Sequence, residues 1–191
     1  TERGKAVVQE GLQQASTPLS LDGSIFCRTD STGIQVDCIA IPLRAFGVDY
    51  VAMWQNETVV TLKVDNVAWG NIYHGILYNN ITGDPYDPTG EQFDQFVGVH
   101  QNATGTVWVN GTYSAYNATW GTAAVIVIEN SNSDESLNND EKGYLIITLS
   151  SSYVADVRDK IIIEIRLEKT APLSIEFNVP ESMSVDSWIT V

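Results

Sequence analysis

The sequence predicts an all-β protein, an immunoglobulin-like β-sandwich preceded by a short N-terminal α-helix. Three observations carry the prediction. Short apolar runs rich in Val, Ile, Thr and Tyr recur along most of the chain, separated by Gly, Asn, Asp and Pro breaks such as TGDPYDPTGE. Several of these runs alternate strictly: Val60, Leu62 and Val64 share one face of TVVTLKV, and Ile161, Ile163, Ile165 and Leu167 share one face of KIIIEIRL. The helical period occurs in a single stretch, TERGKAVVQEGLQQAS, before Pro18 interrupts it.

In chain order, the helix comes first. Val8, Leu12, Ala15 and Leu19 fall on one narrow face. A helix this short is marginal alone in water, so it must either pack on its own domain or continue a longer helix on its N-terminal side. Gly4 and the absence of a capping box favour continuation. Strands are then expected at 22–28, 34–41, 49–54, 58–65, 72–78, 93–99, 105–109, 122–129, 143–150, 160–168, 173–179 and 185–190. The stretch ENSNSDESLNNDEKG, 129–143, reads as a polar, acidic surface loop between two apolar strands. With no internal repeat and no long linker, the economical division is a helical stub, 1–18, and one β domain, 19–191.

In SIFCRTDSTGIQVDCIAIPL, a turn at Ser31-Thr32-Gly33 sets two strands side by side and places Cys27 opposite Cys38. Opposed positions of this kind lie within disulfide range, so a Cys27–Cys38 bridge and an oxidising compartment are expected. Two free, buried thiols are the alternative.

Composition narrows the function classes. Against 24 acidic side chains stand 10 basic ones, a net charge of -14, which repels a phosphate backbone and argues against nucleic acid or anionic lipid as partner. No apolar run approaches the ~20 residues of a bilayer span, so no membrane partner is expected for this sequence. No secretory signal precedes Thr1, so any export or anchoring segment lies outside the sequence. There is no P-loop, GxGxxG, GxSxG or HExxH, and His74 and His100 are the only histidines, so neither an enzyme nor a cofactor is expected. Acidic clusters at Asp84, Asp87, Glu91 and Asp94, and at Asp134, Glu135, Asp140 and Glu141, are the weak candidates for a hard cation. Neither has calcium-loop spacing, so solvated loops are expected and no metal site. The tryptophans, Trp54, Trp69, Trp108, Trp120 and Trp188, sit in or beside strands and are assigned to core or interface packing.

Five acceptor sequons, at Asn56, Asn80, Asn102, Asn110 and Asn117, all carry Thr in the third position, and three crowd into 102–119. This moderate excess over chance points to a sugar-bearing outer surface.

TERGKAVVQEGLQQASTPLSLDGSIF resembles the region of methanogen archaellins, the archaeal flagellins, where the N-terminal helix leaves the filament core and passes through an L-x-L-D-G-type junction into the outer domain, here Leu19, Leu21, Asp22 and Gly23. The resemblance continues in VDYVAMWQNETVVTLKVDN, 48–66, and in the closing KIIIEIRLEKTAPLSIEFNVPESM; 67–142 matches nothing in that pattern. The apolar helix that polymerises archaellins is not part of the sequence. The resemblance implies a structural subunit processed by a prepilin-type peptidase, extracellular, often N-glycosylated, and polymerised with itself or with other archaellins into the archaellum filament that drives swimming. Val8, Leu12 and Ala15 would then continue the assembly helix. Two other readings compete. One is a membrane-anchored archaellum accessory protein that binds the surface layer, and the other is a secreted glycan-binding adhesive domain that uses exposed tryptophans.

Overall fold

The computed structural model describes residues 17–78, 106–109, 112–115, 121–129 and 134–191. All regular structure among them is β, and the chain runs through β1 (Leu19–Leu21), β2 (Phe26–Thr29), β3 (Gln35–Ala45), β4 (Tyr50–Ala52), β5 (Thr58–Val64), β6 (Val67–Trp69), β7 (Tyr73–Tyr78), β8 (Thr106–Val109), β9 (Thr112–Ala115), β10 (Ala123–Glu129), β11 (Ser136–Asn138), β12 (Lys142–Thr148), β13 (Ala155–Asp156), β14 (Lys160–Leu167), β15 (Leu173–Asn178) and β16 (Trp188–Thr190). The expected helix and the expected strand at 93–99 lie outside the described residues.

The main sheet has the order β16-β2-β3-β12-β10-β7, with β1 and β13 also paired to β3; the second is β15-β14-β5-β6. Pairing is antiparallel except between β7 and β10, which run parallel and are joined by the long segment containing the β8/β9 hairpin. The two sheets make a sandwich, and the alternation read in the sequence decides which faces meet. Val60, Leu62 and Val64 of β5 and Ile161, Ile163 and Ile165 of β14 form one wall of the core; Ile39, Ile41, Leu43, Ile126, Ile128, Leu145 and Ile147 form the other. Each buried aliphatic side chain contributes about 1.5–3 kcal/mol relative to exposure.

The outward faces of the two sheets differ. That of β14 and β5 carries Lys63, Glu164 and Arg166, with an ion pair between Glu164 and Arg166 and another from Lys160 to Glu176 at 2.7 Å. The central strands of the main sheet are buried on both faces: Ala40, Val125, Val127, Tyr144 and Ile146, which point away from the sandwich core, are as inaccessible as their neighbours. This is why AAVIVI reads as an unbroken apolar run and KIIIEIRL alternates.

The expected Cys27–Cys38 bridge does not form; both thiols are free. Next to the turn, Thr29 lies opposite Val36, as a turn at 31–33 requires, but a bulge at Asp37 then inserts one extra residue into β3. Beyond it Arg28 is opposite Cys38 and Cys27 is opposite Ile39. A shift of one residue exchanges the faces of the sheet. Cys27 joins the inter-sheet core, whereas Cys38 lies on the other face, across from Thr148.

Within the acidic stretch, residues 134–143 are also more structured than expected. β11 forms within it, pairs antiparallel with β4, and buries Leu137 completely. One apolar side chain among polar neighbours was too weak a pattern to read as a strand.

Candidate assembly interface

Polymerisation, the role that the sequence resemblance implies, depends on how the N-terminal segment joins the domain. The join is firm. β1 pairs with the last residues of β3, Leu19 opposite Ala45 and Leu21 opposite Leu43. On either side of β1, the Phe46 N–H donates to the Pro18 carbonyl at 2.8 Å and the Asp22 N–H donates to the Pro42 carbonyl at 3.0 Å. The Asp22 carboxylate faces Lys142 Nζ at 3.4 Å and Arg44 Nη1 at 3.9 Å, so the junction is tied to β12 as well as to β3. Leu19 is buried in the core. Val8, Leu12 and Ala15 lie outside the described residues.

Beside the junction is an open groove of about 420 Å³ lined by Pro18, Val48, Tyr50, Ala52, Leu167 and Lys169, among others. Val48 and Tyr50 of its wall are 38% and 62% exposed, and Phe46, two residues before Val48, is 63% exposed. The strand expected at 49–54 forms as β4 over Tyr50–Ala52, and the exposed loop before it has no counterpart among the sequence expectations. Its signal was two aromatic residues bracketing Gly47-Val48-Asp49, with Gly47 at φ +71°, where a turn must present rather than bury them.

The other candidate residues are dispersed. Asn56 lies exposed in the turn between β4 and β5, whereas Asn80, Asn102, Asn110 and Asn117 lie outside the described residues. In the later acidic cluster the carboxylates bind nearby backbone: Asp134 Oδ1 accepts from the Ser136 N–H at 3.0 Å, and Glu141 Oε2 accepts from the Asn138 N–H at 2.9 Å. Among the described residues no three potential metal ligands converge, and Asp84 and Asp87 lie outside them. His74 is half-buried, and desolvation holds its pKa below the ordinary value of 6.5. Trp54 is exposed; Trp69 packs edge-on against Tyr153 with ring centroids 6.0 Å apart. Burial pushes both thiols far above the usual range. For Cys38 the negative charge of Asp37 adds to that effect, while Arg28 and a hydrogen bond with Thr148 oppose it.

No protein-family model matches the chain. It is 27% identical over 192 aligned residues to a protein described as probable flagellin 1 of Aeropyrum pernix, covering 100% of this chain and 81% of that protein. Its fold is similar to the crystal structure of archaeal flagellin FlaB1 from Methanocaldococcus jannaschii, with a TM-score of 0.61, 13% identity, and coverage of 90% of this chain and 94% of that one. It is also similar to the archaeal flagellum structure of Methanospirillum hungatei strain JF1, with a TM-score of 0.50, 11% identity, and coverage of 100% of this chain and 80% of that one. The chain is thus similar to a described flagellin along its whole sequence, and its fold is that of an archaeal flagellin.

Proposed function

We propose that the chain is a self-assembling subunit of the extracellular archaellum filament, with residues 1–18 as the end of its assembly helix and 19–191 as the β domain that tiles the outside. The observation that carries the reading is the junction. Backbone hydrogen bonds on both sides of β1, and the ion pairs of Asp22, anchor the N-terminal segment to the central strand of the sandwich. A filament subunit needs such an anchor, because torque and tension pass between the filament core and the outer domain at this point. Val8, Leu12 and Ala15 supply the apolar face that packs toward the filament axis, and the co-polymer partners are further copies of the chain or other archaellins. The exposed position of Asn56 supports its use as a glycan acceptor. Asn80, Asn102, Asn110 and Asn117 are assigned the same role from their sequons.

The test is electron microscopy of the full-length protein expressed in an archaeal host that processes and exports archaellins. Helical filaments containing the chain are expected, and Leu12→Glu, which sets a charge on the packing face, should abolish them. A monomer that never polymerises, where a control archaellin does, would overturn the reading. Glycopeptide mass spectrometry of the same material checks the five asparagines one by one.

A further inference from the structure

The fold splits the sequon at Asn56. Its asparagine is exposed in the turn between β4 and β5, but its third residue, Thr58, begins β5 and is 0% exposed. The Thr58 hydroxyl is turned inward and donates to the Ala52 carbonyl at 3.4 Å. The backbone closes around the same residues: the N–H groups of Glu57 and Thr58 both donate to the Trp54 carbonyl, each at 3.0 Å. Across the sheet, Thr58 lies opposite Leu167 of β14. We propose that Asn56 receives its sugar only before β5 pairs with β14, so that folding of the domain shuts the site and a subunit that folds unmodified stays unmodified there. The proposal rests on the reading of Asn56 as a glycan acceptor given above.

An acceptor sequon is defined by two side chains, the amide that takes the sugar and the hydroxyl two residues later that the transferase recognises. In the transfer, Asn56 Nδ2 forms a bond to the anomeric carbon of a lipid-phosphate-linked oligosaccharide. The bond from that carbon to the phosphate oxygen breaks, the lipid phosphate leaves, and the amide gives up one proton. Exposure of Asn56 meets the first requirement and leaves the second unmet. In the folded domain the Thr58 hydroxyl reaches a transferase only when the first residue of β5 leaves the sheet, losing its place opposite Leu167 and its bond to the Trp54 carbonyl. Thr58 also heads the row Val60, Leu62 and Val64 that faces the core, so turning it outward breaks the alternation of the strand. Chain order leaves a window for the modification. Leu167 lies far downstream of Thr58, and a chain delivered N-terminus first presents the whole sequon before the strand that buries its threonine arrives. The hairpin with β6 can form meanwhile, but its pairs run from Leu62 to Val64 and do not include Thr58.

The experiment compares two forms of one acceptor. The full-length protein is produced without glycan in a bacterial host, and part of it is digested with trypsin, which cuts after Arg44 and Lys63 and releases 45–63 with the sequon intact. Folded protein and peptide are then incubated with membranes of an archaeal host that supply the transferase and its lipid-linked donor. A short synthetic Asn-x-Thr peptide establishes that the membranes are active. Occupancy of Asn56 is read by glycopeptide mass spectrometry, the folded sample being digested only after the reaction is stopped. The peptide is expected to be modified, and the folded protein at least about tenfold more slowly. Comparable rates for the two would overturn the proposal. Protein isolated from the archaeal host separates this inference from the reading beneath it. Asn56 occupied there, with the tryptic peptide refused by active membranes, would overturn the inference alone. Asn56 bare there would sink the glycan assignment at this position and the inference with it.

Discussion

The two cysteines show how one residue can change a chemical expectation. The Asp37 bulge sends their side chains to opposite faces of the main sheet, and burial then suppresses the thiolate that oxidation or alkylation requires. The expected outcome is that intact-mass measurement without reductant gives the dithiol, that neither cysteine is alkylated in the native protein, and that both are alkylated in denaturant. A native mass short of two hydrogens would contradict the register. His74 provides a pH-dependent counterpart. Its folded pKa is depressed, so the fold favours the neutral imidazole; that stabilisation is present above the ordinary value of 6.5 and is lost as pH falls through the lowered value. Unfolding by denaturant between about pH 7 and pH 5 should show the loss in wild type and a flatter profile in His74→Gln.

At the level of elements, the β14/β5 pair organises the sandwich. Ile163 lies opposite Leu62, both inaccessible, in the middle of the second sheet. Truncating Ile163 to Ala removes aliphatic contacts that a close-packed wall cannot quickly refill, and should cost about 2–5 kcal/mol in a denaturant titration. Ile162 points to the outward face and is only half-buried, so Ile162→Ala should cost distinctly less. Equal losses would mean that the alternation does not define the core. The β2–β3 turn is equally specific. Gly33 has φ +69°, and a Cβ there would lie 2.9 Å from the Met183 carbonyl oxygen, so the turn that starts the long central strand accepts no ordinary residue without strain.

For the whole molecule, charge bears on the proposed assembly. A net charge of -14 on each subunit opposes close packing of outer domains, and salt shortens the range of that repulsion to about 8 Å at 0.15 M ionic strength. Filament formation should therefore strengthen as ionic strength rises from about 0.01 M to 0.15 M and beyond, followed by light scattering or sedimentation. Assembly through apolar contact survives such screening, whereas assembly driven by ion pairs would weaken with salt. A filament that dissolves as salt is added would require complementary charged faces between subunits.

The sequence by itself determined what period and composition can carry. The strands with clear alternation or unbroken apolar runs, β5, β10, β12, β14 and β15, were legible because side-chain direction in a strand has period 2 and burial follows it locally. The tertiary structure alone decided what depends on a partner strand. Short β1, β6, β11 and β13 are held by pairing rather than by pattern, the parallel β7/β10 contact joins segments far apart in the chain, and the Asp37 bulge exists only against β2. The groove beside Pro18 belongs to this second class. Its walls come from residues 18, 48, 50–52, 57 and 167–170, which meet only because the two sheets close over one core.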